Sequence, residues 1–274
     1  MAVRGPWQPL VTPTATVAVY RARASGHVRP AAPEPAPAAP ASDEPAAAAP
    51  PDGRCLVVCP GLPTEPGAAE RTGRTFPALA DRLAGASGWA VLACCLRAVG
   101  GCDGSFSFDG WLADLRAVVD HAARHAAASV WLAGFGLAGA VALRVAATDQ
   151  RVRGVATLGA PASLERWLGD PQAAVAAARR VGVLPSAGQH DDPEAWAAAG
   201  RSIAAEDAAR ALGGRALLVV HGLDDDIVPA ADARRLAAAC PGAELRLLAG
   251  AGHRLRADPR AIALLLGWLE RQGP

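Results

Sequence analysis

The ten residues Val130–Gly139, "VWLAGFGLAG", decide the fold. An apolar run, Ser129–Phe135, meets a glycine-dense turn and leads into a second apolar stretch, "AVALRVAA", beginning at Ala140. A short continuous apolar run bounded by glycine reads as a strand buried on both faces. The run after it, Leu137–Ala147, is long and apolar enough for a buried helix. Strand, tight turn and helix in this order serve two kinds of chemistry. One cradles a dinucleotide phosphate, and "GFGLAG" matches G-x-G-x-x-G formally. The other presents a nucleophile at the middle of the turn, as in G-x-S-x-G, and there the central residue is Gly136.

Context argues against the phosphate loop. That fingerprint follows the first strand of its unit and meets an acid at the end of the next one. Here at least two strands precede, Cys55–Cys59 and Trp89–Leu96, and the next strand, in "GVATLGAP", ends without an acid.

Outward from the turn, strands and helices alternate. Helices are expected around Phe76–Leu83, over about Asp109–Ala127 (with Leu112, Leu115, Val119, Ala122 and Ala126 at helical spacing) and at Leu137–Ala147. Strands follow at Val152–Leu158, Ala216–Val220 and Glu244–Leu248, with helices at Ala230–Ala239 and Pro259–Arg271. Such alternation means an α/β fold, a mostly parallel central sheet with helices on both faces. Alanine-rich helical segments between about residues 161 and 213 interrupt it and suggest a short helical lid over the strand ends. Before the sheet proper, Thr14–Arg21 alternates like an antiparallel strand at the sheet edge. Of the 22 residues in Pro30–Pro51, 18 are proline or alanine, the composition of a disordered linker. The expected organisation is an edge-strand segment over 1–29, a linker over 30–52 and one α/β domain over 53–274.

Composition removes several function classes. The formal charge of +1 leaves no footprint for nucleic acid or an anionic membrane. No apolar run approaches the roughly 18–20 residues of a membrane span, and the N-terminus lacks a secretory h-region, so a cytoplasmic location is the expectation. The chain has no lysine, which excludes a P-loop lysine, a Schiff base and a Ser-Lys dyad, and no asparagine, which excludes a Cys-His-Asn site. Its six cysteines lack metal-site spacing and read as buried free thiols, with Cys94 and Cys95 on opposite faces of one strand. His121 and His125 lie four apart but lack the glutamate of HExxH, so a solvent-edge placement is expected. No cofactor and no metal is expected.

Two further motifs join the turn. "VVHGLDDDIVP", Val219–Pro229, puts a run of aspartates just past a strand, and "LAGAGHRL" puts His253 after the last strand. In chain order these give an elbow, an acid and a histidine. With them the chain, from about Cys55 onward, resembles the α/β-hydrolase superfamily, in particular small bacterial esterase- and acylpeptidase-like hydrolases. "CPGLPTEPG" is similar to that family's H-G-F-P loop with Pro60 in place of histidine, "HGLDDDIVP" to its acid loop, and Asp103–His121 to its small bacterial members. The resemblance implies Asp225 as the acid, with Asp224 and Asp226 as alternatives, His253 as the base, and an oxyanion hole from the N–H groups of Leu62 and Leu137.

The nucleophile is missing at Gly136. None of the nine serines lies in the elbow. Ser105 and Ser107 belong to the loop before a helix and read as caps, and Cys59 reads as a sheet residue. Glycine reaches the positive φ of such an elbow at little steric cost. The expectation is a protein of serine esterase or peptidase ancestry, weakly active or non-catalytic, with a small apolar or acyl-type ligand in the cleft. Trp167 and Trp196 either line that cleft or pack the lid. Two other readings stay open: a hydrolase or lyase that activates water through His253 and Asp225, and an interaction protein.

Overall fold

The computed structural model describes residues 7–12, 15–22, 53–100, 102–125, 129–186 and 192–272. Strands β1 (Gln8–Val11), β2 (Thr16–Arg21), β3 (Arg54–Cys59), β4 (Ala90–Cys95), β5 (Ser129–Phe135), β6 (Val152–Leu158), β7 (Ala216–Gly222) and β8 (Glu244–Leu248) form one sheet in the order β1-β2-β4-β3-β5-β6-β7-β8. From β4 to β8 all neighbours run parallel, while β2 pairs antiparallel with both β4 and β1. Thr16–Arg21 is therefore an inner strand, and the edge is Gln8–Val11. That strand is mostly exposed and contains Pro9, so it has neither the alternation nor the apolar run by which a strand is recognised. The Pro/Ala-rich stretch Pro30–Pro51 lies outside the described residues.

Strand residues divide between two cores according to the period-two rule. Val57, Cys94, Leu132, Val155 and Val219 face helices α2 (Phe108–His125), α3 (Leu137–Thr148) and α8 (Ala230–Ala239). Leu56, Val58, Cys95, Ala133 and Val220 face α1 (Ala68–Ser87) and α9 (Pro259–Glu270). Cys94 and Cys95 thus do lie on opposite faces, and all six cysteines are buried free thiols.

Helix α1 begins eight residues before the expected Phe76 because it runs through Pro77. Proline removes the N–H that would bond the carbonyl four residues earlier. That carbonyl, on Gly73, accepts instead from the indole N–H of Trp7 at 2.9 Å. A residue preceding β1 thereby ties the outer edge of the sheet to α1.

Between β6 and β7 lie four helices, α4 (Glu165–Leu168), α5 (Pro171–Arg180), α6 (Pro193–Arg201) and α7 (Ala205–Arg210). They pack on α2, α3 and α8. Trp196 packs among Phe106 and Phe108, with ring centroids 6.0 and 4.9 Å away, and Trp167 packs against the same core. Among the described residues no helix is long and apolar enough to cross a membrane, and no cluster of three or more potential metal ligands occurs.

Candidate active site

The elbow is where β5 ends and α3 begins. Gly136 has φ 51° and ψ −129°, a backbone that strains any side chain. Its N–H donates to Leu158 O on β6 at 2.9 Å, which continues the sheet through the turn. Its carbonyl accepts from the Gly139 N–H at 2.9 Å, which starts the helix. The other glycines of "GFGLAG" are explained by this crossing. A Cβ on Gly134 would stand 2.5 Å from Gly139 Cα, and one on Gly139 would stand 2.7 Å from Ala160 Cβ. The glycines let strand and helix touch, a role unrelated to phosphate.

The three aspartates of the loop after β7 differ sharply in their surroundings. Asp224 and Asp226 are exposed, whereas the Asp225 carboxylate is fully buried. Its Oδ1 accepts the N–H groups of Ile227 and Val228 at 3.0 and 2.8 Å. Its Oδ2 lies 2.9 Å from His253 Nδ1 and 3.3 Å from His221 Nε2. Burial by itself would raise the Asp225 pKa. The hydrogen bonds from His221, His253 and Val228, with the charge on His253, outweigh it and hold the carboxyl well below the usual carboxylate range. Backbone bonds zip this loop to the histidine loop, Leu223 N–H to Leu248 O at 2.9 Å and Asp224 N–H to Ala251 O at 3.0 Å.

An ionised carboxylate only accepts, so His253 carries its proton on Nδ1 and a neutral ring presents the Nε2 lone pair. A Cβ built on Gly136 would stand 3.3 Å from that Nε2. The Nε2 of His253 therefore faces position 136, where the side chain is absent. His221, fully buried at the end of β7, is the residue that sequence reasoning left unassigned. Its Nε2 faces two acceptors, Val228 O at 2.9 Å and Asp225 Oδ2 at 3.3 Å, so Nε2 carries the proton, and its buried Nδ1 has no partner among the described residues. The only advance signal was its place in "HGLDDD", directly before the acid loop.

Opposite the histidine, the loop after β3 lies against the elbow. A Cβ on Gly61 would come within 2.6 Å of Phe135 O, so only glycine permits this approach. Leu62 follows in that loop and lines the cleft, and Leu137 opens α3. Among the hydrogen bonds of the described residues none uses the N–H of Leu62 or Leu137. The residues weighed as substitute nucleophiles lie elsewhere. Ser107 Oγ accepts the Gly110 N–H at 3.1 Å and caps α2, Cys59 is buried in the sheet, and neither they nor Ser105 line the cleft.

The cleft above Gly136 has a volume of about 130 Å³. Leu62, Pro63, Phe76, Phe135 and Leu255 give it apolar walls, but Glu65, Arg71, Arg254 and Arg256 line it as well. A small apolar or acyl-type ligand was expected in the cleft; the charged side chains beside its apolar walls come from segments far apart in the chain. Among the described lining residues none comes from α4–α7, which pack on the helices beside the sheet.

The electrostatics of Asp225 carry a pH prediction. Unfolded, an aspartate titrates near ~3.9, and the folded value is lower. Its ionisation therefore contributes stability that is fully present above the unfolded value and is lost as pH falls through the folded one. In urea unfolding, the stability gap between the native protein and Asp225→Asn is expected to hold down to about pH 5 and to narrow below about pH 4. A gap that stays constant into that acid range would mean that the histidines do not hold this carboxylate ionised.

No protein-family model matches the chain, and no curated protein does. Solved structures do. Est1E from Butyrivibrio proteoclasticus is 16% identical with a TM-score of 0.62, covering 97% of this chain and 96% of its own. The Pyrococcus furiosus esterase Pf2001 is 14% identical with a TM-score of 0.63, covering 97% and 91%. XC6422 from Xanthomonas campestris, an α/β serine hydrolase without lid, is 20% identical with a TM-score of 0.57, covering 98% and 96%. The chain has the α/β-hydrolase fold, and its structural neighbours are bacterial and archaeal esterases and serine hydrolases.

Proposed function

We propose that this chain derives from a serine esterase or peptidase, has lost the nucleophile at Gly136, and uses the retained cleft to bind a small ligand. One observation carries the reading: Asp225 and His253 are hydrogen-bonded at 2.9 Å, and Nε2 stands 3.3 Å from where a side chain at 136 would begin. A base, an orienting acid and an elbow in this relation are the parts of a triad, less its hydroxyl. The free N–H groups of Leu62 and Leu137 suit a carbonyl oxygen, as an oxyanion hole would. Est1E, one of the structural neighbours, has been solved with ferulic acid bound, which supports a small-molecule ligand for this fold.

The chemistry left to such a site is limited. Without an oxygen at residue 136 no acyl intermediate forms. Binding and an oxyanion hole alone leave roughly 10³–10⁴-fold over water. The Nε2 lone pair accepts a hydrogen bond from a ligand hydroxyl or from water, so the site recognises a donor beside a carbonyl.

The open alternative is a water-activating enzyme that uses the same Asp225–His253 pair. Hydrolysis of p-nitrophenyl acetate by the native protein and by His253→Ala separates the two. Slow, equal rates are expected. Native turnover that disappears in His253→Ala would overturn the non-catalytic reading in favour of water activation.

A further inference from the structure

The cleft sets three guanidinium groups, Arg71, Arg254 and Arg256, against one carboxylate, Glu65. The chain as a whole carries a formal charge of only +1, so this local excess is not a general property of its surface. Glu65 is shared by two of the arginines: it bonds Arg71 and lies 2.9 Å from Arg254 Nη2. Both of those side chains are at least half exposed, 51% and 69%, so their pairing is screened and contributes little to stability.

Arg256 differs. It makes no ion pair or hydrogen bond with another described residue, and it is half-buried. Its guanidinium lies over the Phe76 ring at 5.8 Å from the centroid. Phe76 in turn meets the edge of Phe135, with centroids 5.5 Å apart, and Phe135 immediately precedes Gly136. A cation–π contact orients the group while leaving its N–H donors free. Burial lowers the Arg256 pKa, and the neighbouring charges of Arg254 and Arg71 lower it further. Glu65 offsets the charge of only part of this group of three arginines, and an anion in the cleft would relieve the rest.

We propose that the cleft binds a small organic anion, its carboxylate or phosphate group held by the planar fork of Arg256 with Arg71 and Arg254 at the rim. Arginine is suited to this task because its fork matches the two oxygens of either group. The anion is small because the cleft, at about 130 Å³, is well below the roughly 300–1,000 Å³ of drug-sized sites. The body of the ligand would lie on Phe76, Phe135 and Leu255, next to Gly136 and His253. The inference rests on the reading of this cleft as a ligand site and adds the charge of what enters it.

Isothermal titration at low ionic strength with benzoate, phenyl phosphate and neutral benzamide tests it. At least one of the two anions is expected to bind about tenfold or more tightly than benzamide, the worth of a hydrogen-bonded charge pair. The preference should shrink with added sodium chloride. It should be lost in Arg256→Gln, be partly kept in Arg256→Lys, and persist in Arg235→Gln, whose arginine pairs with Glu206 outside the cleft. Unchanged melting temperatures establish that the variants are folded. A stronger benzoate assigns a carboxylate ligand and a stronger phenyl phosphate assigns a phosphate. Equal binding of benzamide and the anions, or a preference that survives in Arg256→Gln, overturns the anion site but leaves a ligand cleft. No binding by any of the three overturns both.

Discussion

Gly136→Ser is expected to turn this protein into an esterase. The Cβ of the new side chain would stand 3.3 Å from His253 Nε2, so its oxygen falls within hydrogen-bond reach once the ring gives slightly. Asp225 already holds that ring through Nδ1. In triad enzymes the three groups act as a unit, and losing the serine costs on the order of 10⁶ in turnover. A reassembled but unrefined site that recovers half of this on a logarithmic scale gives about 10³-fold over the native protein. The gain should vanish when His253→Ala is added. With Asp225→Asn most of that gain should be lost as well. The hydroxyl carries a cost, because a side chain at φ 51° strains the backbone by about 1–3 kcal/mol. Gly136→Ser should therefore be less stable and more active than the protein it came from. A folded variant without ester hydrolysis would mean that the cleft has been remodelled beyond its nucleophile.

Asp114→Ala is expected to produce the largest loss of stability. Asp114 is fully buried on α2, and its carboxylate meets the Arg97 side chain twice, Oδ2 to Nε at 2.9 Å and Oδ1 to Nη2 at 2.6 Å. Oδ2 also accepts the Arg97 backbone N–H at 3.1 Å, and the Trp111 indole donates to Arg97 O at 3.0 Å. These bonds fasten the chain just beyond β4 to the helix. Removing the carboxylate takes two bonds from a poorly exposed guanidinium and the acceptor from a backbone N–H, a change that costs about 3–5 kcal/mol for buried pairs. Replacing both partners, Arg97→Met with Asp114→Leu, should recover the part of that loss due to the charge pair but not the part due to the Arg97 N–H, which still lacks the Asp114 acceptor. Urea midpoints measure both. A loss under about 1 kcal/mol for Asp114→Ala would place the pair among weak surface bridges.

The inner parallel strands were legible because burial on both faces writes a largely apolar run. The bounds of β5, β6 and β8 follow from "SVWLAGF", "VRGVATL" and "ELRLL" read alone. β1 was not legible, since an outermost, exposed four-residue strand needs no apolar pattern. The elbow, the acid loop and the histidine loop were legible as motifs in order, and the fold brings Asp225, His253 and Gly136 together. Choosing Asp225 over its neighbours required the turn that buries one carboxylate and exposes two. The Asp114–Arg97 pair lay hidden because a charged residue beside Leu112 and Leu115 looks like the solvated side of a helix. The arginine-lined cleft was invisible for another reason. Glu65 and Arg71 come from near the start of α1, Arg254 and Arg256 from beyond β8, and they meet where α1 and α9 pack on one face of the sheet.

The proposal that a triad has been kept here without its nucleophile is tested most directly by intact-mass measurement after exposure to a fluorophosphonate, which labels only an activated nucleophile. The native protein is expected to remain unmodified, and Gly136→Ser to gain one adduct, located at position 136 and abolished by His253→Ala. Labelling of the native protein would reveal a nucleophile elsewhere in the chain. A folded Gly136→Ser that stays unlabelled would show that His253 and Asp225 no longer form a working pair.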